Sequence, residues 1–312
     1  MNNVMQVKVY DDIPITEQQN PVSFRIDTKT SLEIVKIIND QDKMVAFAVE
    51  KVLPETARLI DDVVKAFRNG GRLFYIGAGT SGRLGILDAS ECPPTYGVSP
   101  ELVQGIIAGG LPALTKSQEG AEDDPGAGIT ELKHRQFSPV DVIIGISASG
   151  DAPFVVAALE YAQSLGAVAG MITCNQKSKA LQFADHKIFV DVGPEIIAGS
   201  TRMKAGTAQK LILNMISTVS MIRLGKVYNN LMVDLCPLNN KLKKRSERLI
   251  AQISGCSEID AARIFKEANG KLKAGILMAM LSIDLERATQ LLNRGDGSIN
   301  LAIDIHNQKD SN

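Results

Sequence analysis

Residue types that usually carry metal or thiol chemistry are scarce in this sequence. The 312 residues include no tryptophan, three histidines and four cysteines. The histidines are far apart, and none has the spacing of a metal-binding pair. We therefore expect neither a metal site nor a cofactor, and we expect carboxylates to carry any acid–base chemistry. The histidines are His134, His186 and His306.

The cysteines also lack a functional pattern. They are scattered along the chain, without a Cys-x-x-Cys pair, which is typical of reduced thiols in the cytosol rather than of disulfides or a zinc site. We therefore expect a cytoplasmic protein. The cysteines are Cys92, Cys174, Cys236 and Cys256.

Membrane and nucleic-acid partners are not expected either. The apolar runs are shorter than the ~20 residues of a membrane-spanning helix, and Met1–Gln6 lacks the apolar segment of a signal peptide. The net charge is −1, and basic residues are not gathered with aromatic ones. The short basic run Lys241–Arg245 is typical of a solvated helix face.

Short apolar segments alternate with helical patterns through most of the chain. This alternation predicts an α/β fold with a doubly wound, five-stranded parallel sheet covered by helices on both faces. Ligands of such sheets bind beyond the carboxyl ends of the strands. The predicted strands are Arg72–Ile76, Val103–Ala108, Val142–Ile146, Ala167–Ile172 and Lys187–Val190.

The helices and domain limits follow from capping signals and apolar periodicity. Residues up to about 28 are predicted to be irregular, and Thr30-Ser-Leu-Glu33 is a capping box. Further helices are expected from Pro54 to Arg68 and from near Ser200 to Ile222. We expect one domain at residues 1–240 and a small helical domain at 241–312. Its three predicted helices are one that Ser257 caps and Asn269-Gly270 ends, Lys271–Leu281 and Leu285–Leu292.

The most informative segment is the glycine turn Gly77-Ala-Gly-Thr-Ser-Gly82, which follows the first strand. A glycine turn that opens a helix exposes backbone N–H groups at the positive end of the helix dipole, which suits a phosphate. Gly79, Thr80 and Ser81 are therefore candidate phosphate-binding residues. Dinucleotide binding would also need an acidic residue about 20 positions later, and Val103–Gly110 ends without one. A tight turn without a ligand is the other alternative.

Two more turns combine small residues with hydroxyls before a predicted helix. They are Ser147-Ala-Ser-Gly150 and Gly199-Ser-Thr201. Together with the first turn they could donate several hydrogen bonds to a phosphate without a metal. Any single serine among them is also explained as a helix cap. The candidate substrate-binding residues here are Ser147, Ser149, Gly150, Ser200 and Thr201.

Two longer segments resemble one enzyme family. Ile76–Pro94, which ends in Leu-Asp-Ala-Ser-Glu-Cys-Pro-Pro, resembles the signature of N-acetylmuramic acid 6-phosphate etherases. Gly193–Lys210 is similar to a motif that this family shares with glucokinase regulatory proteins, and it adds Glu195 to the candidate substrate-binding residues. The resemblance begins near residue 24 and reaches the C-terminal helices. It implies the sugar isomerase (SIS) fold, a UBA-like C-terminal domain, a sugar-phosphate substrate and a homodimer.

The resemblance also implies a reaction. The family cleaves the lactyl ether of N-acetylmuramic acid 6-phosphate to N-acetylglucosamine 6-phosphate and D-lactate, in cell-wall recycling. Its two catalytic glutamates match Glu91 and Glu122. We expect Glu91, beside Cys92 and two prolines, to be buried and to hold its proton by desolvation, with Glu122 as the base. The sequence leaves open which glutamate removes the C2 proton, and the acidic run around Glu122 is by itself typical of a solvated turn.

One departure concerns the turn Ser147–Gly150. SIS proteins often carry a hydroxyl two positions after this turn, where this chain has Ala152. Asp151 would repel a phosphate if it pointed inward, so we expect it to face solvent. Two other functions stay open: an aldose–ketose isomerase, which releases no lactate, and a non-catalytic sugar-phosphate sensor. A transcription factor would need a basic DNA-binding segment, which residues 1–30 lack.

Overall fold

The computed structural model describes residues 13–234 and 240–309. Met1–Gln6 and Cys236 therefore lie outside the described residues, as does the side chain of Lys241. Residues 15–28 form three single turns of 3-10 helix, Ile15–Glu17, Pro21–Ser23 and Ile26–Thr28. The absence of a longer element before residue 28, within the described part, agrees with the irregular segment that was predicted.

Two helices precede the sheet, α1 (Ser31–Glu50) and α2 (Leu53–Arg68). The predicted capping box at the start of α1 is confirmed. Thr30 Oγ1 accepts a hydrogen bond from the Glu33 N–H (3.4 Å), and the Thr30 N–H donates to Glu33 Oε2 (2.8 Å). This reciprocal pair satisfies two backbone donors that the helix itself leaves open.

The predicted five-stranded parallel sheet is confirmed, with the strand order β2-β1-β3-β4-β5. Its strands are buried almost throughout because helices pack on both faces. One face holds Phe74, Ile143 and Met171 in a core with residues of two helices that follow β2 and β3. The strands are β1 (Leu73–Gly77), β2 (Val103–Ile107), β3 (Val142–Ile146), β4 (Val168–Thr173) and β5 (His186–Phe189).

The helices of the sheet region are α3 (Gly79–Tyr96), α4 (Pro125–His134), α5 (Pro153–Ser164) and α6 (Lys204–Arg223). Helices α4 and α5 supply Leu132, Phe154 and Leu159 to the core on one face. On the opposite face, Leu59 of α2 packs at Gly170, and Gly85 of α3 packs at Tyr75. The doubly wound arrangement follows from strands that are apolar on both sides.

The described chain forms two compact units. The first comprises residues 13–90 and 100–217, and the second comprises 91–99, 218–234 and 240–309. Helix α3 contributes residues to both. The domain boundary predicted at residue 240 adjoins residues outside the described part and stays a prediction.

The second unit contains two short strands and five helices among the described residues. Three helices were predicted for the C-terminal domain, so that number was too small. The basic run was predicted only as a solvated helix face, and the last helix was missed, because polar residues dilute their apolar patterns. Ser257 caps the helix Glu258–Glu267 as predicted, since its Oγ accepts from the Asp260 N–H (3.1 Å). The elements are β6 (Val227–Tyr228), β7 (Leu231–Met232), α7 (Asn240–Ser254), α8 (Glu258–Glu267), α9 (Leu272–Leu281), α10 (Leu285–Arg294) and α11 (Ile299–Lys309).

The helices of the second unit enclose their own apolar core, which includes Ile250, Phe265, Leu277 and Leu291. Lys243–Arg245 are exposed on α7, which confirms the solvated helix face predicted for the basic run. Across residues 13–234 and 240–309, no helix has the length and apolar character needed to cross a membrane.

Candidate active site

The strand order places two hydroxyl-bearing turns side by side. In a sheet of order 2-1-3-4-5, the connections diverge after β1 and β3, and ligands bind at this switch point. Gly77 at the end of β1 pairs with Ile146 at the end of β3. We call the segment Gly77–Gly82 the β1 turn and Ser147–Gly150 the β3 turn. The prediction that both lie at the carboxyl edge of the sheet is confirmed.

Two glycines of the β1 turn, Gly77 and Gly82, are required by close packing, whereas Gly79 has a positive φ (+50°). A Cβ atom on Gly77 would lie 2.8 Å from both the Gly82 N and the Ile146 O, and one on Gly82 would lie 2.6 Å from Ile107 Cγ1. This need explains the glycine spacing without a dinucleotide. The sheet order also differs from the 3-2-1-4-5-6 order of dinucleotide-binding folds.

The β1 turn offers backbone donors to an anion. Helix α3 begins at Gly79, and the first N–H groups of a helix have no acceptor within it. The helix dipole adds partial positive charge at the same place. Gly79 is exposed and Thr80 is half-buried, with its methyl group beside Gly206 of α6. The turn therefore combines open N–H groups with one accessible hydroxyl.

Ser81 is arranged differently from Thr80. It is buried, and its Oγ donates a hydrogen bond to Oε1 of Gln209 on α6 (2.9 Å). A hydroxyl has a single proton, so this arrangement leaves Ser81 only its backbone N–H and oxygen lone pairs for a ligand. Gln209 was not singled out from the sequence, although it lies within the segment Gly193–Lys210.

The β3 turn satisfies most of its own polar groups. Ser147 Oγ accepts from the Gly150 N–H (3.0 Å) and lies 3.4 Å from Ser149 Oγ. Asn175 Nδ2 donates to the Ser149 carbonyl (2.9 Å), and Ser178 Oγ donates to the Gly150 carbonyl (2.8 Å). These bonds connect the turn to the segment after β4.

Asp151 does not simply face solvent, as was expected. It is half-buried, and its Oδ1 accepts a hydrogen bond from the Lys179 N–H (2.8 Å) at the start of the 3-10 turn Lys179–Phe183. The open N–H of that turn attracts the carboxylate, so the expectation was wrong in this respect. Ala152, at the N-cap of α5, makes no side-chain cap bond.

The third predicted segment, Gly199–Thr201, precedes α6 rather than opening it, because the helix begins at Lys204. Glu195 caps this helix: its Oε2 accepts from the Lys204 N–H and its Oε1 from the Ala205 N–H, both at 2.9 Å. Glu195 is only 1% exposed. Both carboxylate oxygens are therefore engaged with backbone, and Glu195 supports the site by fixing the start of α6.

Lys204 is a buried cation that the sequence reasoning missed. Its Nζ donates to the Val192 carbonyl (2.6 Å) and to Gln41 Oε1 of α1 (3.2 Å). Burial lowers the pKa of Lys204, while nearby carboxylates, Glu195 first among them, act in the opposite direction. The ammonium group fastens the loop before α6 to α1.

Asp88 is a buried carboxyl on α3 that was also missed. Tyr75 Oη donates to its Oδ2 (3.0 Å), Ser217 Oγ donates to its Oδ1 (3.1 Å), and Lys210 Nζ lies 3.9 Å away. Burial raises the pKa of Asp88 despite these partners. The sequence signal that could have identified Asp88 is its position in the segment Leu-Asp-Ala-Ser-Glu, three residues before Glu91.

The two predicted catalytic glutamates are both exposed. The predicted burial of Glu91 is wrong, since α3 continues through Pro93 and Pro94 to Tyr96 and turns Cys92 inward instead. Glu91 belongs to the second unit. Glu122 lies in the 3-10 turn Ala121–Asp123 of the first unit. The pairing of the two carboxylates stays a prediction.

Cys174 carries a buried thiol at this edge, directly after β4. Burial raises the pKa of Cys174 to about 12, with Glu195 and Asp191 as smaller causes. A thiol with such a pKa stays protonated and unreactive at neutral pH. In the part of the chain that the structure describes, no three His, Cys, Asp or Glu side chains are grouped so that they could hold a metal ion.

Two family models agree with this architecture. A family model of the glucokinase regulatory protein N-terminal SIS domain matches residues 55–163, and the SIS domain model matches residues 126–218. A phosphoheptose isomerase structure from Neisseria gonorrhoeae aligns with a TM-score of 0.48 at 17% identity, covering 61% of this chain and 98% of the other.

Curated relatives match nearly the whole chain. An N-acetylmuramic acid 6-phosphate etherase from Vibrio campbellii is 50% identical over 295 residues, which cover 95% of this chain and 96% of the relative. Another from Glaesserella parasuis is 53% identical over 285 residues, covering 91% and 94%. Such identity over both units shows that the chain belongs to the N-acetylmuramic acid 6-phosphate etherase family.

Proposed function

We propose that this protein is a carbon–oxygen lyase that cleaves the lactyl ether of N-acetylmuramic acid 6-phosphate. The products are N-acetylglucosamine 6-phosphate and D-lactate, and the reaction serves the recycling of cell-wall amino sugars. The observation that carries the proposal is the near full-length similarity to etherases. We place the reaction in the cytoplasm, as expected from the sequence.

The β1 turn and the β3 turn hold the substrate phosphate in this proposal. Open N–H groups at the start of α3 and the Thr80 hydroxyl supply donors. Ser149, half-buried in the β3 turn, supplies another hydroxyl. A phosphate bound here needs no metal ion, because the donors and the helix dipole compensate its charge.

Two carboxyl groups divide the proton transfers. The open-chain sugar has an aldehyde at C1, which makes the C2 proton acidic, so that a base removes it. An acid protonates the ether oxygen as lactate leaves from C3, because an alkoxide is a poor leaving group. Water then adds at C3 of the unsaturated aldehyde. We assign the acid to Glu91 and the base to Glu122; both are exposed and accessible to a ligand.

The decisive experiment measures D-lactate release from N-acetylmuramic acid 6-phosphate. Glu91→Gln and Glu122→Gln keep the side-chain shape but cannot cycle a proton, so each lowers turnover roughly 10²–10⁴-fold. Glu119→Gln, an exposed neighbour in the same loop as Glu122, is the matched control and keeps its activity. Absence of lactate with the wild-type protein would refute the proposed function, and near-normal release by either variant would remove that glutamate from the mechanism.

Isotope labelling distinguishes elimination and hydration from direct displacement at the lactyl carbon. Elimination and hydration break the bond between C3 and the ether oxygen, so lactate keeps the bridging oxygen. In ¹⁸O-labelled water the label enters the C3 hydroxyl, and in deuterated water deuterium enters C2. Displacement at the lactyl carbon predicts labelled lactate and an unexchanged C2 proton. Mass spectrometry of both products distinguishes the two routes.

We also propose that the protein is a homodimer, as the family resemblance implies. Helix α1 supports this, since it leaves large apolar side chains in solvent: Leu32 is 62% exposed and Phe47 is 59% exposed. A second copy is the occupant that the proposal assigns to this surface. Light scattering after gel filtration measures the mass, and a monomer at all concentrations would contradict the dimer.

A further inference from the structure

Gln209 uses only one end of its buried amide. The side chain is 1% exposed, and its Oε1 accepts from Ser81 Oγ at 2.9 Å. Its Nε2 has no hydrogen-bond partner among residues 13–234 and 240–309. A buried donor without an acceptor is costly. The orphaned amide lies directly against the predicted phosphate turn.

Helix α6 holds Gln209 in a defined place. Glu195 caps the start of the helix, and Gly206, one turn before Gln209, lies beside Thr80. Residues three apart share a helix face. One face of α6 thus contacts two successive residues of the β1 turn, Thr80 through Gly206 and Ser81 through Gln209.

The direction of the Ser81 O–H decides what that residue can do. While the proton points to Gln209, Ser81 cannot donate it to a phosphate. Turning the Gln209 amide by half a turn brings Nε2 against Ser81 Oγ. The Ser81 oxygen then accepts, the orphaned donor gains a partner, and the Ser81 proton is free for the ligand. The last torsion of glutamine is broad, so the turn meets no steep barrier of its own.

We propose that Gln209 is a positioning residue that sets the direction of the Ser81 hydroxyl, releasing its proton to a phosphate oxygen when the sugar phosphate binds. The inference rests on the proposed function, because it assumes a phosphate at the β1 turn. The phosphate supplies the acceptor that makes the turned amide favourable. Gln209 itself does not touch the reacting carbons.

The test measures binding of N-acetylglucosamine 6-phosphate by calorimetry to the full-length protein. Gln209→Glu accepts but does not donate when ionised, so it keeps the Ser81 proton and weakens binding about 10-fold or more. Gln209→Met has similar volume and no polar end, so it leaves the proton free and weakens binding less. A purely structural contact predicts the reverse order, because only Glu retains the bond to Ser81.

The Ser81→Ala background separates this mechanism from charge repulsion. If Gln209 acts through Ser81, then adding Gln209→Glu to Ser81→Ala causes little further loss, whereas repulsion of the phosphate persists in the double variant. Thermal unfolding verifies that each variant is folded. If Gln209→Glu does not fold, Gln209→Met in the two backgrounds gives the same comparison.

Three results would overturn the inference: wild-type affinity in Ser81→Ala, a larger loss with Gln209→Met than with Gln209→Glu, or an undiminished Gln209 effect in the Ser81→Ala background. These outcomes are distinct from failure of the proposed function, which is judged by lactate release from the wild-type protein. In turnover, loss of the positioning role raises KM with little change in kcat, because the role concerns ground-state binding of the phosphate.

Discussion

The β1 turn and the β3 turn adjoin one another at the same sheet edge but differ in how their polar groups are satisfied. The β3 turn is bonded to itself and to the segment after β4 through Ser147, Asn175 and Ser178. The β1 turn opens α3, and the first N–H groups of a helix have no acceptor within it; the Gln209 amide beside the turn uses only its oxygen. The fold thus satisfies most polar groups of the β3 turn by itself, and we expect a ligand to satisfy those of the β1 turn.

The largest effect is expected from adding a methyl group to each turn. A Cβ atom on Gly150 would lie 1.9 Å from Ser178 Oγ and 2.4 Å from Ser178 Cβ, and its φ is +72°. Gly150→Ala therefore combines left-handed strain with overpacking and lowers the free energy of unfolding by roughly 2–5 kcal/mol. Gly79→Ala, at φ +50° with no atom within 4 Å, costs roughly 1–2 kcal/mol. Urea unfolding measures both, and equal losses would contradict the contrast between the turns.

Removing a hydroxyl from each turn tests whether both bind the phosphate. Thr80→Ala and Ser149→Ala are each expected to weaken binding of N-acetylglucosamine 6-phosphate by about 1–3 kcal/mol, the usual loss for a hydrogen bond to a charged group. Thr130→Ala, which removes an exposed hydroxyl of α4, is the control. The inhibition constant of this product gives the measurement, and unchanged constants in both turn variants would exclude the phosphate site.

Variants of Asp151 test how strongly the residue after the β3 turn holds the segment after β4. Asp151→Ala removes the acceptor of the Lys179 N–H and is expected to cost about 0.5–1.5 kcal/mol of stability. Asp151→Asn keeps a carbonyl oxygen there and costs less. Thermal unfolding compares the two variants. Equal stability of Asp151→Ala and the wild-type protein would mean that the carboxylate does not hold the segment after β4.

The smallest effect concerns Asp88, on the helix that the β1 turn opens. Burial raises the pKa of Asp88, so the folded protein holds this proton more tightly than the unfolded chain. Stability from this group is therefore present at pH values below the usual aspartate pKa and is lost as the pH rises through the raised pKa. As the pH falls from 7 to 4, we expect the free energy of unfolding of the wild-type protein to increase relative to that of Asp88→Asn. Urea unfolding at both pH values checks this, and a constant difference would contradict it.

Much of the fold could be predicted because its signals are local. Val142–Ile146 is a short apolar run with β-branched residues, and β3 has these same bounds. The predicted burial of Glu91 was wrong because it was inferred from the residues adjacent in the sequence. In the helix, Cys92 faces inward and Glu91 faces outward. Gln209 was missed since it meets Ser81 across 128 positions of sequence. No periodicity or capping rule reports a contact at such a separation.

The glycines around α3 bear on how such motifs are interpreted. A Cβ atom on Gly85 would lie 2.9 Å from Tyr75 Cβ, and one on Gly105 would lie 2.6 Å from Ile86 Cα. The backbone of the helix therefore touches the sheet almost directly, and any larger residue at these positions would lift the helix and carry the start of the turn with it. A glycine-rich sequence signature of this kind indicates first that a helix packs closely against a sheet. Proteins that bind quite different ligands, or none, can share it for that reason alone.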